Sequence, residues 1–371
     1  MKHNLIALAV VAAVTLPLTA QAAPKVYGQI NISAEAYEKD FDGSAKDEEY
    51  TRMHSNASRF GVKGEDELTA DLSAVYGIEW QVAAEGDDVS GLTATTTTTT
   101  TGVDGASLPI KATSTSTSSV SGGNKLDLTQ RNRFVGIKSQ QFGTVKLGKY
   151  DTYLKLAQGK IDLFNDFAAD MEFTIAGENR INNVLGYESP KFMNTQFSVM
   201  SQTQDVAKGS KAGSSVSIVH HNEDMGLYLA LASDMNVDGK TSLFGTRESD
   251  TMRLVASYKV ADLTLNCLYS TSEKITGKDA ETAYLLGAAY KLSDIVLKAQ
   301  YSMAEADDAA LIAFADEKSS TERAQMSIGA DYNFTSKTKA FAWYTTKEDT
   351  KKNPAKSIDE TILALGVEHK F

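Results

Sequence analysis

The segment DETILALGVEHKF, residues 359–371, decides the fold prediction because its side chains alternate in character. Successive side chains of a β-strand point to opposite faces, so residues 361, 363, 365, 367, 369 and 371 share one face. That face is mostly apolar and ends on Phe371, whereas the opposite face carries Glu360, Glu368 and Lys370. A membrane barrel needs strands of this kind, because one face meets lipid and the other meets water. The segment therefore predicts a transmembrane β-strand.

The same alternation recurs along the chain, beginning at residues 26–35. Short connections, such as 259–262 and 291–294, separate some of these strands, and longer polar segments, such as 39–56, 233–249 and 347–357, separate others. Short turns on one rim and long loops on the other are typical of outer-membrane barrels. We predict an all-β fold, a transmembrane antiparallel β-barrel of about sixteen strands in one domain. A barrel of that width cannot fill its interior with side chains, so we expect a water-filled lumen.

Residues 1–23 have the pattern of a secretory signal peptide. Lys2 gives a positive start, residues 5–18 are apolar, and Ala20-Gln21-Ala22 fits the small-residue pattern that signal peptidase accepts. The alternative, a membrane anchor, is disfavoured because the apolar stretch is shorter than the roughly 20 residues of a spanning helix. We therefore expect cleavage after Ala22 or Ala23 and a mature chain of residues 24–371.

Composition excludes several other classes of function. The formal net charge of -11 argues against binding nucleic acid through a basic patch. The five histidines and single cysteine show neither metal-ligand spacing nor a Ser/His pair, so we predict no catalytic residues, no metal and no cofactor. Cys267 shares parity with Leu265 and Tyr269 and is expected to face lipid. Acids at 47–49 could bridge divalent cations to lipopolysaccharide, although plain solvation is the alternative.

Residues 85–129 contain runs of threonine and serine with too little apolar content to fold alone. We expect a Thr/Ser-rich extracellular loop. Adhesion through this loop is an alternative function that the sequence leaves open.

Four motifs resemble the landmarks of one family. They are SRFGVKGEDEL (58–68), RFVGIKSQQFGTVKLGKYDT (133–152), NRINNVLGYESPKF (179–192) and LGVEHKF (365–371). Together they resemble the trimeric general-diffusion porins of Gram-negative bacteria, and the resemblance covers the whole mature chain. It implies a homotrimer of barrels in the outer membrane, in contact with lipid and lipopolysaccharide. It also implies insertion by the barrel assembly machinery through the C-terminal strand that ends on Phe371.

The resemblance further implies that the third long loop, residues 151–178, folds into the lumen and forms a constriction. In the family, acidic groups on this loop face basic groups on the barrel wall. The acidic candidates here are Asp162, Asp166 and Asp170. Facing charges of opposite sign create a transverse field that orients dipolar solutes.

The basic wall candidates are Arg59, Lys149 and Arg180. Alternation independently directs Arg59 inward, because it lies opposite the apolar parity of Phe60. Lys149 would face lipid under strict alternation unless Gly148 permits a bulge. The assignment of Arg180 to the wall rests mainly on the resemblance.

The function that these expectations support is passive diffusion of small hydrophilic solutes and ions, with a weak preference for cations. A substrate-specific channel and a surface adhesin or structural barrel are the alternatives.

Overall fold

The computed structural model describes residues 24–41, 47–83, 128–203, 212–243, 245–275, 280–306, 320–352 and 355–371. The predicted signal peptide lies outside the described residues, as does most of the predicted loop 85–129. The last two residues of that loop, Leu128 and Thr129, already belong to a strand.

The described residues form seventeen strand segments, which pair only in antiparallel fashion. In chain order they are β1 (Lys25–Phe41), β2 (Glu48–Ser55), β3 (Arg59–Glu67), β4 (Leu72–Val82), β5 (Leu128–Ser139), β6 (Gly143–Asp151), β7 (Arg180–Glu188), β8 (Thr195–Gln202), β9 (Ser214–Asn222), β10 (Leu227–Thr241), β11 (Gly245–Val260), β12 (Leu263–Lys274), β13 (Ala280–Leu292), β14 (Ile295–Ala306), β15 (Ser320–Asn333), β16 (Thr338–Lys352) and β17 (Ala355–Lys370).

These segments close into a barrel of sixteen strand positions. Both β2 and β3 pair with β1, so they act as one strand interrupted at residues 56–58. The first and last strands close the sheet, with Ile30 opposite His369. Closure leaves no sheet edge, which removes the unpaired backbone groups that an open sheet would present to lipid. The predicted sixteen-stranded antiparallel barrel is confirmed.

Side chains alternate between the two faces of the sheet as the C-terminal segment predicted. In β17, Leu363 and Leu365 are 53% and 62% exposed, whereas Ala364 between them is fully buried and Glu368 is nearly so. Cys267 is exposed on the outer face, as expected from its parity. An apolar outer face with buried polar side chains inside inverts the arrangement of a soluble protein and suits a lipid environment.

The short connections 259–262 and 291–294 lie where the sequence predicted them, but the turn predicted at 65–67 lies at 68–71, because β3 continues to Glu67, and several strands are longer than predicted. β1 continues to Phe41 and β2 begins at Glu48, inside the predicted loop 39–56. Similarly, β10 and β11 occupy much of the predicted loop 233–249. At the end of β1 both faces carry polar side chains, with Glu38 on one parity and Lys39, paired with Glu360 at 2.6 Å, on the other, so the apolar alternation ends before this strand does.

Between β6 and β7 runs a long connection, residues 152–179, which we call the acidic segment. It contains a short α-helix, α1 (Tyr153–Leu156), and a 3-10 helix, Met171–Phe173. The part of the chain that the structure describes has no helix long and apolar enough to cross a membrane.

Apolar side chains of the acidic segment pack on two patches of the sheet. Leu154, Ile161 and Met171 contribute to a buried cluster with residues of β10 to β14. Phe164 and Phe167 join a second cluster that includes Trp343 of β16. The two patches supply the hydrophobic contacts that hold the segment against the strands.

Candidate functional site

Arg253 of β11 is the main anchor of the acidic segment. Its side chain is fully buried, and its guanidinium donates to the carbonyl oxygen of Ala176 at 2.6 Å and to Oε1 of Gln158 at 3.2 Å. The same group pairs with the carboxylate of Glu178 at 3.0 Å. Burying an arginine is costly unless its charge is paired, and the acidic segment supplies the carboxylate of Glu178 and acceptors for both Nη atoms, whereas Nε has no hydrogen-bond partner within the described ranges.

Side chains from other strands bind the backbone of the acidic segment. Asn266 of β12 donates to the carbonyl oxygen of Ile161 at 3.0 Å, and Gln325 of β15 donates to that of Ala169 at 2.6 Å. Thr174 donates to Ser302 of β14 at 2.7 Å. The segment is therefore held by strands that lie far from β6 and β7 in the barrel order.

Asp162 fixes the turn at the centre of the segment. One carboxylate oxygen accepts from the backbone N–H of Phe164 at 2.9 Å and from the side chain of Gln300 at 3.0 Å, and the other accepts from the N–H of Met171 at 3.0 Å. Burial raises the pKa of this carboxyl. The structure thus places Asp162 inside the segment, and it does not line the cavity described below.

Arg59 and Asp166 meet directly. Nη1 of Arg59 lies 2.8 Å from Oδ2 of Asp166, and both side chains are about one-fifth exposed. The interruption of the strand at 56–58 positions Arg59, because Ala57 adopts a φ of 49° and Ser58 accepts a hydrogen bond from the backbone of Asn31 at 3.0 Å. The contact joins a wall residue to a residue of the acidic segment; the resemblance implied facing charges of opposite sign here but paired no individual acid with Arg59.

Next to this contact lies an open cavity of about 670 Å³. The strands contribute basic side chains and the acidic segment contributes mainly carboxylates, so charges of opposite sign face each other. The basic wall residues are Arg52, Arg131, Arg180, Arg323 and Lys347, and the acidic residues are Asp166, Asp170, Glu172 and Glu178.

Of the remaining predicted residues, Arg180 and Asp170 line this cavity. Arg180 pairs with Asp151 at 2.8 Å and donates to Asn132 at 2.7 Å. Asp170 caps the 3-10 helix, accepting from the backbone N–H of Glu172 at 2.8 Å and of Asp166 at 2.7 Å. Burial, together with the negative charges of Asp162, Glu178 and Glu172, raises the pKa of the Asp170 carboxyl well above its usual range.

Lys149 lies elsewhere. It pairs in register with Arg133, next to the pairs Leu147 with Val135 and Val145 with Ile137, whose side chains are exposed. A bulge does follow Gly148, but the regular pairing with β5 keeps Lys149 on the outer parity. The structure does not bring Lys149 together with the acidic segment.

The sequence predicted no site role for four of the basic wall residues that line the cavity. They are Arg52, Arg131, Arg323 and Lys347. Arg52 lies in β2, all of which falls within the predicted loop 39–56, and Arg131 lies within a register shift between β4 and β5. Lys347 of β16 is the first residue of the segment 347–357, for which the sequence predicts a loop, and Arg323 lies near the start of β15. The sequence did contain one indication for Arg52. It shares a strand face with His54, opposite the exposed Met53, and this alternation favours an inward-facing Arg52.

In the described ranges, no group of three or more His, Cys, Asp or Glu side chains is arranged to hold a metal ion.

One comparison with known proteins identifies a family. The family model for Gram-negative porins matches residues 7–352. A search of curated protein sequences finds no match.

Three solved structures illustrate the likeness of fold. The anion-selective porin from Comamonas acidovorans has a TM-score of 0.66 at 16% identity, over 94% of this chain and 99% of that chain. The outer membrane channel DcaP of Acinetobacter baumannii has a TM-score of 0.66 at 14% identity, over 96% of this chain and 99% of that chain. OmpT of Vibrio cholerae in its trimer form has a TM-score of 0.60 at 13% identity, over 95% of this chain and 100% of that chain.

Proposed function

Because this chain belongs to the Gram-negative porin family, we propose that the cavity between the acidic segment and the wall arginines is the constriction of its channel. The protein is an outer-membrane channel for passive diffusion. The observation that carries the proposal is the 2.8 Å contact of Arg59 with Asp166, which joins the barrel wall to the acidic segment.

The acidic segment folds into the lumen in this proposal. Its support is the set of anchors on distant strands, from Arg253 of β11 to Gln325 of β15. Those anchoring side chains are buried polar groups, which alternate with the exposed apolar residues of the outer face. A segment attached in this way narrows the water-filled path, and solutes pass beside it.

Charge then selects among the solutes that are small enough to enter. Basic groups on one side and acidic groups on the other create a field across the path, which favours small polar or ionic solutes over large apolar ones. Most of these charges are paired, so the net selectivity is weak. The excess of 48 acidic over 37 basic residues supports a weak preference for cations.

Several further features belong to the same proposal. The chain is secreted with residues 1–23 as its signal peptide and assembles as a homotrimer, as does one structural neighbour, OmpT of Vibrio cholerae in its trimer form. Lipid and lipopolysaccharide surround it, and the barrel assembly machinery inserts it through the strand that ends on Phe371. Residues 85–129 form an extracellular loop. The transport mechanism requires no covalent step, cofactor or metal.

A bulky substitution in the cavity tests the position of the constriction. Ala168 lines the cavity, so Ala168→Trp should reduce single-channel conductance in a planar bilayer. Ala342 lies on the outer parity of β16, between the buried Phe341 and Trp343, and Ala342→Trp is the matched control. Equal conductance of the two variants would remove this cavity from the ion path.

A further inference from the structure

Nearly every cation that lines the constriction already has a carboxylate partner. Four of the wall arginines are paired, in the combinations Arg52 with Glu35 at 2.9 Å, Arg131 with Glu79 at 2.6 Å, Arg180 with Asp151 at 2.8 Å and Arg323 with Asp349 at 2.9 Å. Lys155 of the acidic segment pairs with Glu178 at 3.4 Å. A paired charge attracts a passing ion less, because its partner offsets the field.

Lys347 is different. Within the described part of the chain, no carboxylate oxygen lies within 4.0 Å of its ammonium group. Its neighbour in register is Glu360, but Glu360 accepts from Lys39 at 2.6 Å. The Lys347 ammonium instead lies 4.9 Å from the centre of the Phe173 ring. A lysine at the cavity without a carboxylate partner can bind an anionic group of a solute.

Glu172 is the corresponding group of opposite sign. Asp166 is held by Arg59, Glu178 is held by Arg253 and Lys155, and the Asp170 carboxylate accepts backbone N–H groups. The Glu172 side chain is exposed and lines the same cavity, and among the described residues it has no cation within 4.0 Å.

Phe173 places the two groups next to each other. It follows Glu172 directly in the 3-10 helix, and its ring lies 4.9 Å from both the Lys347 ammonium and the Arg323 guanidinium. The cavity therefore presents one positive and one negative group that attract each other without forming a direct ion pair, carried by the wall and by the acidic segment respectively.

We propose that Lys347 and Glu172 form a recognition pair for zwitterionic solutes such as free amino acids, an inference that rests on the proposed channel function. The solute carboxylate contacts the Lys347 ammonium while the solute ammonium contacts the Glu172 carboxylate. A neutral polyol of similar size gains neither interaction, so the pair favours the zwitterion. The dipole of the solute is aligned across the path rather than along it.

Liposome swelling tests this pair with L-serine as the zwitterion and erythritol as the neutral solute of similar size. The variants are Lys347→Met, Glu172→Gln and the charge swap Lys347→Glu with Glu172→Lys. Lys138→Met is the control, because Lys138 forms an exposed pair with Glu65 near a short turn. Attraction between two unit charges about 6 Å apart in water corresponds to roughly a threefold change in the swelling rate.

Each single variant should lower the ratio of serine to erythritol rates about threefold, with the erythritol rate unchanged. The charge swap should restore the ratio, because a zwitterion can bind in the reversed orientation. An unchanged ratio in both single variants, or a swap variant no better than the single variants, would overturn the recognition pair. Failure of the unmodified protein to admit erythritol would instead overturn the channel function, so the two failures are distinguishable.

Discussion

Replacing Arg253 by methionine should release the acidic segment while the barrel stays folded. The change removes the donors to Ala176 and Gln158 and leaves the Glu178 carboxylate, whose side chain is 8% exposed, with only Lys155 at 3.4 Å. Breaking a buried ion pair by removing one partner costs about 3–5 kcal/mol. The strands keep their own backbone hydrogen bonds, so the cost falls on the docking of the segment.

Limited trypsin digestion in detergent measures this release, because the acidic segment contains Lys155 and Lys160 as cleavage sites. A docking loss of 3 kcal/mol raises the open population about 150-fold, and cleavage of the open form should accelerate accordingly. Removing both charges with Arg253→Met and Glu178→Gln should recover part of the docking, because no buried charge is then left unpaired. If the Arg253→Met variant is digested at the wild-type rate and shows the conductance noise of the wild type, the reasoning is refuted.

Three further predictions concern selectivity and closure. In a KCl gradient, Arg59→Met should shift the reversal potential toward cation selectivity and Asp166→Asn should shift it toward anion selectivity. The reason is that each variant removes one charge of the 2.8 Å pair. Shifts of the same sign would contradict the assignment of this pair to the ion path. Because the pKa of Asp170 is raised, this carboxyl takes up a proton at a higher pH than an ordinary aspartate does. Acidification should therefore weaken the cation preference measured by the reversal potential. The Asp170→Asn variant should show a smaller change of reversal potential with pH. Gly28→Val should impair closure of the barrel between its first and last strands, because a Cβ there would lie 2.6 Å from the carbonyl oxygen of Arg59. Closure is measured by the heat-dependent gel shift of the folded barrel, which this variant should lose. An unaltered gel shift would contradict the prediction.

The barrel was predictable because lipid imposes one simple rule on each strand. Apolar and polar side chains alternate wherever one face meets the membrane, and Leu363 and Ala364 show the rule in adjacent residues. Beyond the membrane the outer face no longer has to be apolar, so the rule gives a weaker signal. For that reason the sequence predicts a loop over the end of β1 and the whole of β2.

The proposed constriction was only partly predictable from the sequence. Arg59 followed from alternation, and its contact with Asp166 joins two residues that are distant in sequence and that only the resemblance related. The role of Asp162 could not be foreseen, because a carboxylate that binds backbone N–H groups within a turn looks the same in sequence as a solvated one. The place of Lys149 depended on how a local bulge was accommodated, which composition does not encode.

The central claim is that this barrel encloses a continuous water-filled path past the acidic segment. Single-channel recording of the folded protein in a planar bilayer tests it most directly. The account predicts stable current steps whose conductance rises in proportion to that of the bulk salt solution. Protein with the β-sheet circular dichroism of the folded barrel that gives no current steps at any salt concentration would contradict it.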